Sequence, residues 1–210
     1  MVAFLRDGPA GARVTLLLAH GAGAAADSPW MEAMTAALVA EGLAVARFEF
    51  AYMAARRDGL RRPPPRGETL VPEYRAAVAA LGAPGRLAIG GKSLGGRVAS
   101  MAADPLHAEG AVAGLLCLGY PFHPPGKPER TRTAHLAALA TPALIVQGTR
   151  DPFGGRADVA GYALAPGIEM LWIEDGDHDL APRKSVAGIG PAEARGRIAA
   201  SVAAWAARLS

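Results

Sequence analysis

The sequence predicts an α/β fold: a mostly parallel sheet of about six or seven strands with helices on both faces. Two observations carry this reading. Short apolar runs alternate with longer segments of helical periodicity, six times along the chain. The runs are apolar at successive positions, so each strand buries both faces, as in a parallel sheet covered by helices. Length and composition agree: 210 residues, 51% of them hydrophobic, suffice for one core and are too few for two comfortable ones. No internal repeat and no linker divides the chain, so residues 1–210 read as a single domain without an inserted cap.

Taken in order, residues 2–5 are expected as an antiparallel edge strand. Val14–Ala19 is a continuous apolar run and reads as a buried strand. Ser28 and Pro29 look like an N-cap followed by proline at the first helical position. Trp30, Met34, Ala37, Leu38 and Glu41 continue at helical spacing, and Gly42 ends the helix. Strands are then expected at 43–50, 87–90, 112–118, 143–147 and 168–173. Helices are expected at 69–81, 94–103, 134–140, 156–164 and 191–209. The irregular segments are 51–67, 120–133 and 176–190. Each follows a strand, and in an open parallel sheet such loops line the ligand crevice.

The net charge of +3 comes almost wholly from arginine, with lysine only at Lys92, Lys127 and Lys184. Abundant alanine, glycine and proline alongside arginine is the pattern of a GC-rich genome, so the basic balance does not imply a nucleic-acid partner. Arg56, Arg57, Arg61, Arg62 and Arg66 cluster around Pro63-Pro64-Pro65 without interleaved aromatics or a helical face. They read as a solvated loop or, functionally, as a rim that favours anionic substrates. Cys117 lies alone in an apolar run, which excludes a disulfide scaffold and fits a cytoplasmic location. Val14–Ala19 is too short for a signal peptide and His20-Gly21 interrupts it. No other stretch is long enough to span a membrane. No spacing of His, Cys and carboxylates suits a metal. The expectation is no cofactor, no metal, no nucleic acid and no membrane, for a monomer or homodimer.

Gly91-Lys92-Ser93-Leu94-Gly95 matches G-x-S-x-G, with an apolar strand ending before it and a helix starting after it. That context suits a nucleophile, because a serine hydroxyl there projects from a tight strand-to-helix turn. A serine hydroxyl needs a base, itself oriented by an acid, and here both follow the serine in chain order as acid then histidine. His178 follows the last expected strand and is the candidate base. His107, His123 and His135 read as surface or packing residues. Asp151 follows the penultimate strand and is the candidate acid, with Asp175, Asp177 and Asp179 as alternatives better suited to shaping the histidine loop. The oxyanion needs two backbone N–H donors: Leu94 and, from the loop after the first strand, Ala22, with Gly21 its nearest competitor. His20 reads as a holder of that loop. Tyr52, Met53, Tyr120, Pro121 and Phe122 are candidates for the substrate wall, and loop packing is the equal alternative for each.

Two other motifs overlap these segments. Gly21-Ala22-Gly23-Ala24-Ala25-Ala26 fits G-x-G-x-x-A after a strand, with Glu49 where a ribose-binding acid would stand. The helix signal waits until Ser28-Pro29, whereas a dinucleotide fingerprint opens its helix within the motif. Gly91-Lys92-Ser93 ends like a phosphate loop, but Arg86 stands where that motif needs glycine.

These residues resemble the α/β-hydrolase superfamily over nearly the whole chain. More narrowly, the chain is similar to small, capless bacterial hydrolases related to testis-expressed protein 30 and to subunit 3 of the NSL chromatin complex. Dienelactone hydrolases are more distant. The matching stretches are 18–23, 48–53, 90–97 and 147–154, and Ala51 departs from an expected proline. The resemblance implies a Ser–Asp–His triad of Ser93, Asp151 and His178. The expected activity is a serine hydrolase of the carboxylesterase or thioesterase kind, acting on an ester or thioester of a small or flexible acyl group. The alternative is a non-catalytic interaction module on the same scaffold.

Overall fold

The computed structural model describes residues 2–60, 62–83 and 85–209. Its seven-stranded sheet comprises β1 (Leu5–Asp7), β2 (Val14–Ala19), β3 (Ala44–Phe48), β4 (Arg86–Lys92), β5 (Gly114–Leu118), β6 (Ala143–Gly148) and β7 (Ile168–Ile173). The strands lie in the order β1-β3-β2-β4-β5-β6-β7, and only β1 is antiparallel to its neighbour. The helices are α1 (Pro29–Ala40), α2 (Ala51–Arg57), α3 (Gly67–Leu81), α4 (Leu94–Ala108), α5 (Arg156–Val159), α6 (Lys184–Ala187) and α7 (Pro191–Ala206).

The strand pattern explains the layering. Successive side chains point to opposite faces, so Leu16 and Leu18 enter one core while Leu17 and Ala19 enter the other. The first core is closed by Met31, Met34 and Leu38 of α1 and by Ile198, Val202 and Trp205 of α7. The second is closed by Leu70, Tyr74 and Val78 of α3 and by Val98, Ala99 and Ala102 of α4. Leu16, Leu17 and Leu18 are all at most 1% exposed, each worth about 1.5–3 kcal/mol of burial. Among the described residues no connection inserts a cap over the sheet.

Several boundaries differ from expectation. The edge strand is Leu5–Asp7, not 2–5. It pairs with β3, and Asp7 forms an ion pair with the buried Arg47 at 2.9 Å, a contact that hydrophobic patterning does not reveal. Its three residues include charged Arg6 and Asp7, which blunt the sheet edge. Segment 51–67 contains α2, whose seven residues are too few to display a helical period. Arg56 and Arg57 therefore do lie on a helix, and Arg57 pairs with Glu49 and Asp27. Arg61 lies outside the described residues. The helix expected at 156–164 is only α5, and that at 134–140 is a single 3-10 turn, Leu136–Ala138. Segment 176–190 contains α6. Conversely, α4 runs through Pro105 to Ala108.

Candidate active site

β4 ends at Lys92 and α4 begins at Leu94, leaving Ser93 alone in the turn. Ser93 adopts φ 50° and ψ −112°, a conformation costing on the order of 1–3 kcal/mol in a residue with a Cβ. Two backbone bonds hold it there. Ser93 N–H donates to Leu118 O at 3.0 Å, and Arg97 N–H donates to Ser93 O at 3.0 Å. The flanking glycines answer to close approach: a Cβ on Gly91 would stand 2.3 Å from Ala19 O, and one on Gly95 2.4 Å from the same oxygen. The spacing in the motif is thus the footprint of β2 crossing against the elbow.

Asp151 follows β6, and His178 follows β7. His178 Nε2 lies 2.9 Å from Ser93 Oγ, and His178 Nδ1 lies 2.8 Å from Asp151 Oδ2. A carboxylate only accepts, so Nδ1 carries the proton and the Nε2 lone pair faces the serine hydroxyl. Asp151 is 2% exposed and takes two further donors, Phe153 N–H at 2.8 Å and Gln147 Nε2 at 2.9 Å. The Phe153 ring packs 4.3 Å from the imidazole. The structure brings together the three residues expected from the motif order.

Gln147 was assigned no role by the sequence. It is fully buried; its Oε1 accepts from Tyr120 N–H at 2.7 Å, and its Nε2 also lies near Tyr120 O and Gly154 O. The signal for it is an amide near the end of an otherwise apolar buried strand.

Leu94 N–H opens α4 and so has no carbonyl one turn back within the helix. Among the described residues, Ala22 N–H and Gly21 N–H have no protein acceptor either, so all three are free to serve an oxyanion. The loop that carries Ala22 is braced from below. His20 is completely buried; its Nδ1–H donates to Gly21 O at 2.6 Å, and its Nε2 accepts from Phe50 N–H at 3.2 Å. Burial holds this imidazole below its ordinary pKa, in keeping with a neutral ring used as donor and acceptor. The Tyr52 hydroxyl donates to Ala22 O at 3.1 Å, and burial pushes that phenol up to about 12.

The other candidates fall elsewhere. Tyr120 and Phe122 are completely buried and Tyr52 and Met53 nearly so, all within one core. They pack beneath the site, the loop-packing alternative that the sequence left open for each. Two cavities, of about 610 and 250 Å³, are lined by none of these residues and by no member of the Ser93 group. Asp175 binds Arg183, which holds its carboxyl down at about 2, and Asp177 accepts from Asp179 N–H and Ala181 N–H. His107 bonds to Val112 O and His123 to Pro124 O, as packing residues do. His135 lies 2.8 Å from Ser100 Oγ. Ser100 is buried in the middle of α4 and donates to Arg97 O, and among the described residues no carboxylate pairs with His135 to complete a second triad. Glu49 accepts from Arg57 and from Ala26 N–H, and α1 opens only at Pro29, beyond the glycine-rich segment.

Solved structures share this architecture. Dienelactone hydrolase from Anabaena variabilis superposes with a TM-score of 0.75 at 20% identity, over 99% of this chain and 92% of that one. A Xanthomonas campestris protein described as a serine hydrolase without lid gives 0.71 at 19%, over 100% and 97%. Est1E from Butyrivibrio proteoclasticus, seen with ferulic acid bound, gives 0.65 at 15%, over 94% and 93%. At these identities the likeness is one of fold. A family model described as an alpha/beta hydrolase domain matches residues 12–207. With the strand order, the elbow and that match in agreement, this chain belongs to the alpha/beta hydrolase family.

Proposed function

We propose that the protein is a serine hydrolase that cleaves an ester or thioester of a small or flexible acyl group. The observation that carries this reading is the continuous chain of contacts from Ser93 Oγ through the His178 ring to the buried Asp151, at a strained elbow. His178 Nε2 takes the proton as Ser93 Oγ attacks the carbonyl, and Asp151 holds the ring in the Nδ1–H tautomer and stabilises the imidazolium. The oxyanion forms against Leu94 N–H and Ala22 N–H, each worth about 3 kcal/mol in the transition state. His178 then protonates the leaving group, and water, activated by the same histidine, releases the acid.

A site without a cap, 22% exposed at the His178 side chain, suits short or flexible acyl groups. No described helix is long and apolar enough to cross a membrane, and a cytoplasmic, single-domain enzyme is part of this reading. Labelling with a fluorophosphonate probe tests it. Wild-type protein reacts and Ser93→Ala does not. Folded wild-type protein that resists the probe overturns the reading in favour of an interaction module.

A further inference from the structure

Lys92 fills the variable position just before Ser93, and its surroundings are unusual for a lysine. Its side chain is 8% exposed. Burial pulls the ammonium below the ordinary lysine value, with Asp179 the leading opposing influence. Burying a cation is costly unless it is paired and hydrogen-bonded. Every partner that offsets the cost belongs to one place. The ammonium donates to His178 O, lies 3.3 Å from Asp179 Oδ1 and sits 5.2 Å over the Trp30 ring. Trp30 Nε1–H in turn donates to Asp179 O at 2.9 Å.

The segment held in this way needs holding. Asp175 and Leu180 bracket His178 with φ of 56° and 60°, both in the left-handed region without being glycine. Arg150 and Arg183 fasten Asp175, and Asp177 caps its own turn. Among the described residues, the Lys92 bond is the one hydrogen bond to the main chain of His178 itself. A Cβ on Gly119 would stand 2.8 Å from His178 O and 3.1 Å from the ammonium, so the contact is also tightly enclosed.

We propose that Lys92 is a positioning residue, which ties the segment bearing His178 to the elbow bearing Ser93 and balances the acidic groups around the imidazole. This rests on the reading of Ser93, His178 and Asp151 as the catalytic group. Adjacent in sequence to the nucleophile and bonded to the backbone of the base, Lys92 makes the separation of the two a property of one side chain. The charged groups around the segment are Asp151 and Arg150 after β6, Asp175, Asp177 and Asp179 on the segment itself, Arg183 bonded to Asp175, and Arg195, which shares a cavity wall with Trp30 and Asp179. Lys92 is the cation that β4 contributes.

The test is the rate of fluorophosphonate labelling as a function of pH in full-length protein. Lys92→Met keeps the stem and removes the charge and the donors. Its labelling falls about 100-fold, the scale expected of a displacement near 1 Å. The acidic limb of its profile moves to higher pH, because a lost cation and an unpaired Asp179 both favour a protonated ring. Asp179→Asn keeps Lys92 and removes the anion, and its limb moves to lower pH. Trp30→Phe, which loses the bond to Asp179 O and keeps a smaller ring beneath the ammonium, slows labelling by a smaller factor. A role in stability alone lowers the unfolding midpoint and leaves both limbs in place. Folded Lys92→Met with wild-type rate and profile overturns the proposal. Should that variant not fold, an unmoved limb in Asp179→Asn overturns it. Folded wild type that is not labelled at all overturns the catalytic reading instead.

Discussion

Gln147 Nε2 donates to Asp151 Oδ2 at 2.9 Å, the same oxygen that faces His178 Nδ1. One carboxylate oxygen therefore takes two donors, and the second comes from a residue with no exposure. Replacing Gln147 by leucine leaves Tyr120 N–H without its acceptor and Asp151 with one donor fewer. Each orphaned buried group costs about 1–3 kcal/mol. Urea denaturation of Gln147→Leu should show a loss of that order, and a wild-type midpoint would refute it.

In the proposed reading Asp151 serves the tautomer of His178 rather than accepting its proton. Asp151→Asn can present an amide N–H to Nδ1, which turns the ring's proton toward Ser93 and leaves no base. Esterase kcat should fall on the order of 10⁴-fold, as such an exchange does in serine proteases, while the circular dichroism spectrum stays unchanged. A loss below tenfold would show that another group orients the ring.

His20 couples pH to stability. Burial lowers its pKa below the ordinary 6.5, so the unfolded chain binds the proton more readily. The contribution of the neutral ring is complete above 6.5 and is lost as pH falls toward the lowered folded value. His20→Asn removes this slope from the pH dependence of the unfolding midpoint. It also loosens Gly21 and Ala22, so kcat falls more than KM rises. Parallel pH curves for the two proteins would contradict this.

Two glycines in helices should respond in opposite directions. In Gly95→Ala the new Cβ meets Ala19 O at 2.4 Å and His20 O at 2.7 Å, both backbone atoms. The elbow must shift, at a cost of about 1–3 kcal/mol or more, and labelling of Ser93 is lost with it. Gly196 lies in α7 with nothing within 4 Å of its Cβ direction. Gly196→Ala should stabilise the protein by about 0.5–1 kcal/mol. Calorimetric midpoints of the two variants should bracket the wild type.

What the sequence determined by itself was the sheet, the two helical layers and the order of Ser93, Asp151 and His178 along the chain. Unbroken apolar runs such as Val14–Ala19 and Ala143–Gly148 have one stable use, a strand buried on both faces, and loops after such strands collect at one edge. The elbow was legible for a similar reason, since glycines at 91 and 95 are demanded by contact with β2. Short elements were not legible: α2 and α6 have at most two turns, too few for an apolar pattern to repeat. Nor were the pairings. The bond of Lys92 to His178 O spans 86 positions and that of Tyr52 to Ala22 O spans 30, and no local pattern encodes a contact between residues that only folding brings together. Tyr120 and Phe122 make the same point, because an aromatic in a loop after a strand looks alike whether it faces a ligand or the core. Only the tertiary structure decided that they face the core, where the area they bury outweighs anything they would gain at a solvated rim.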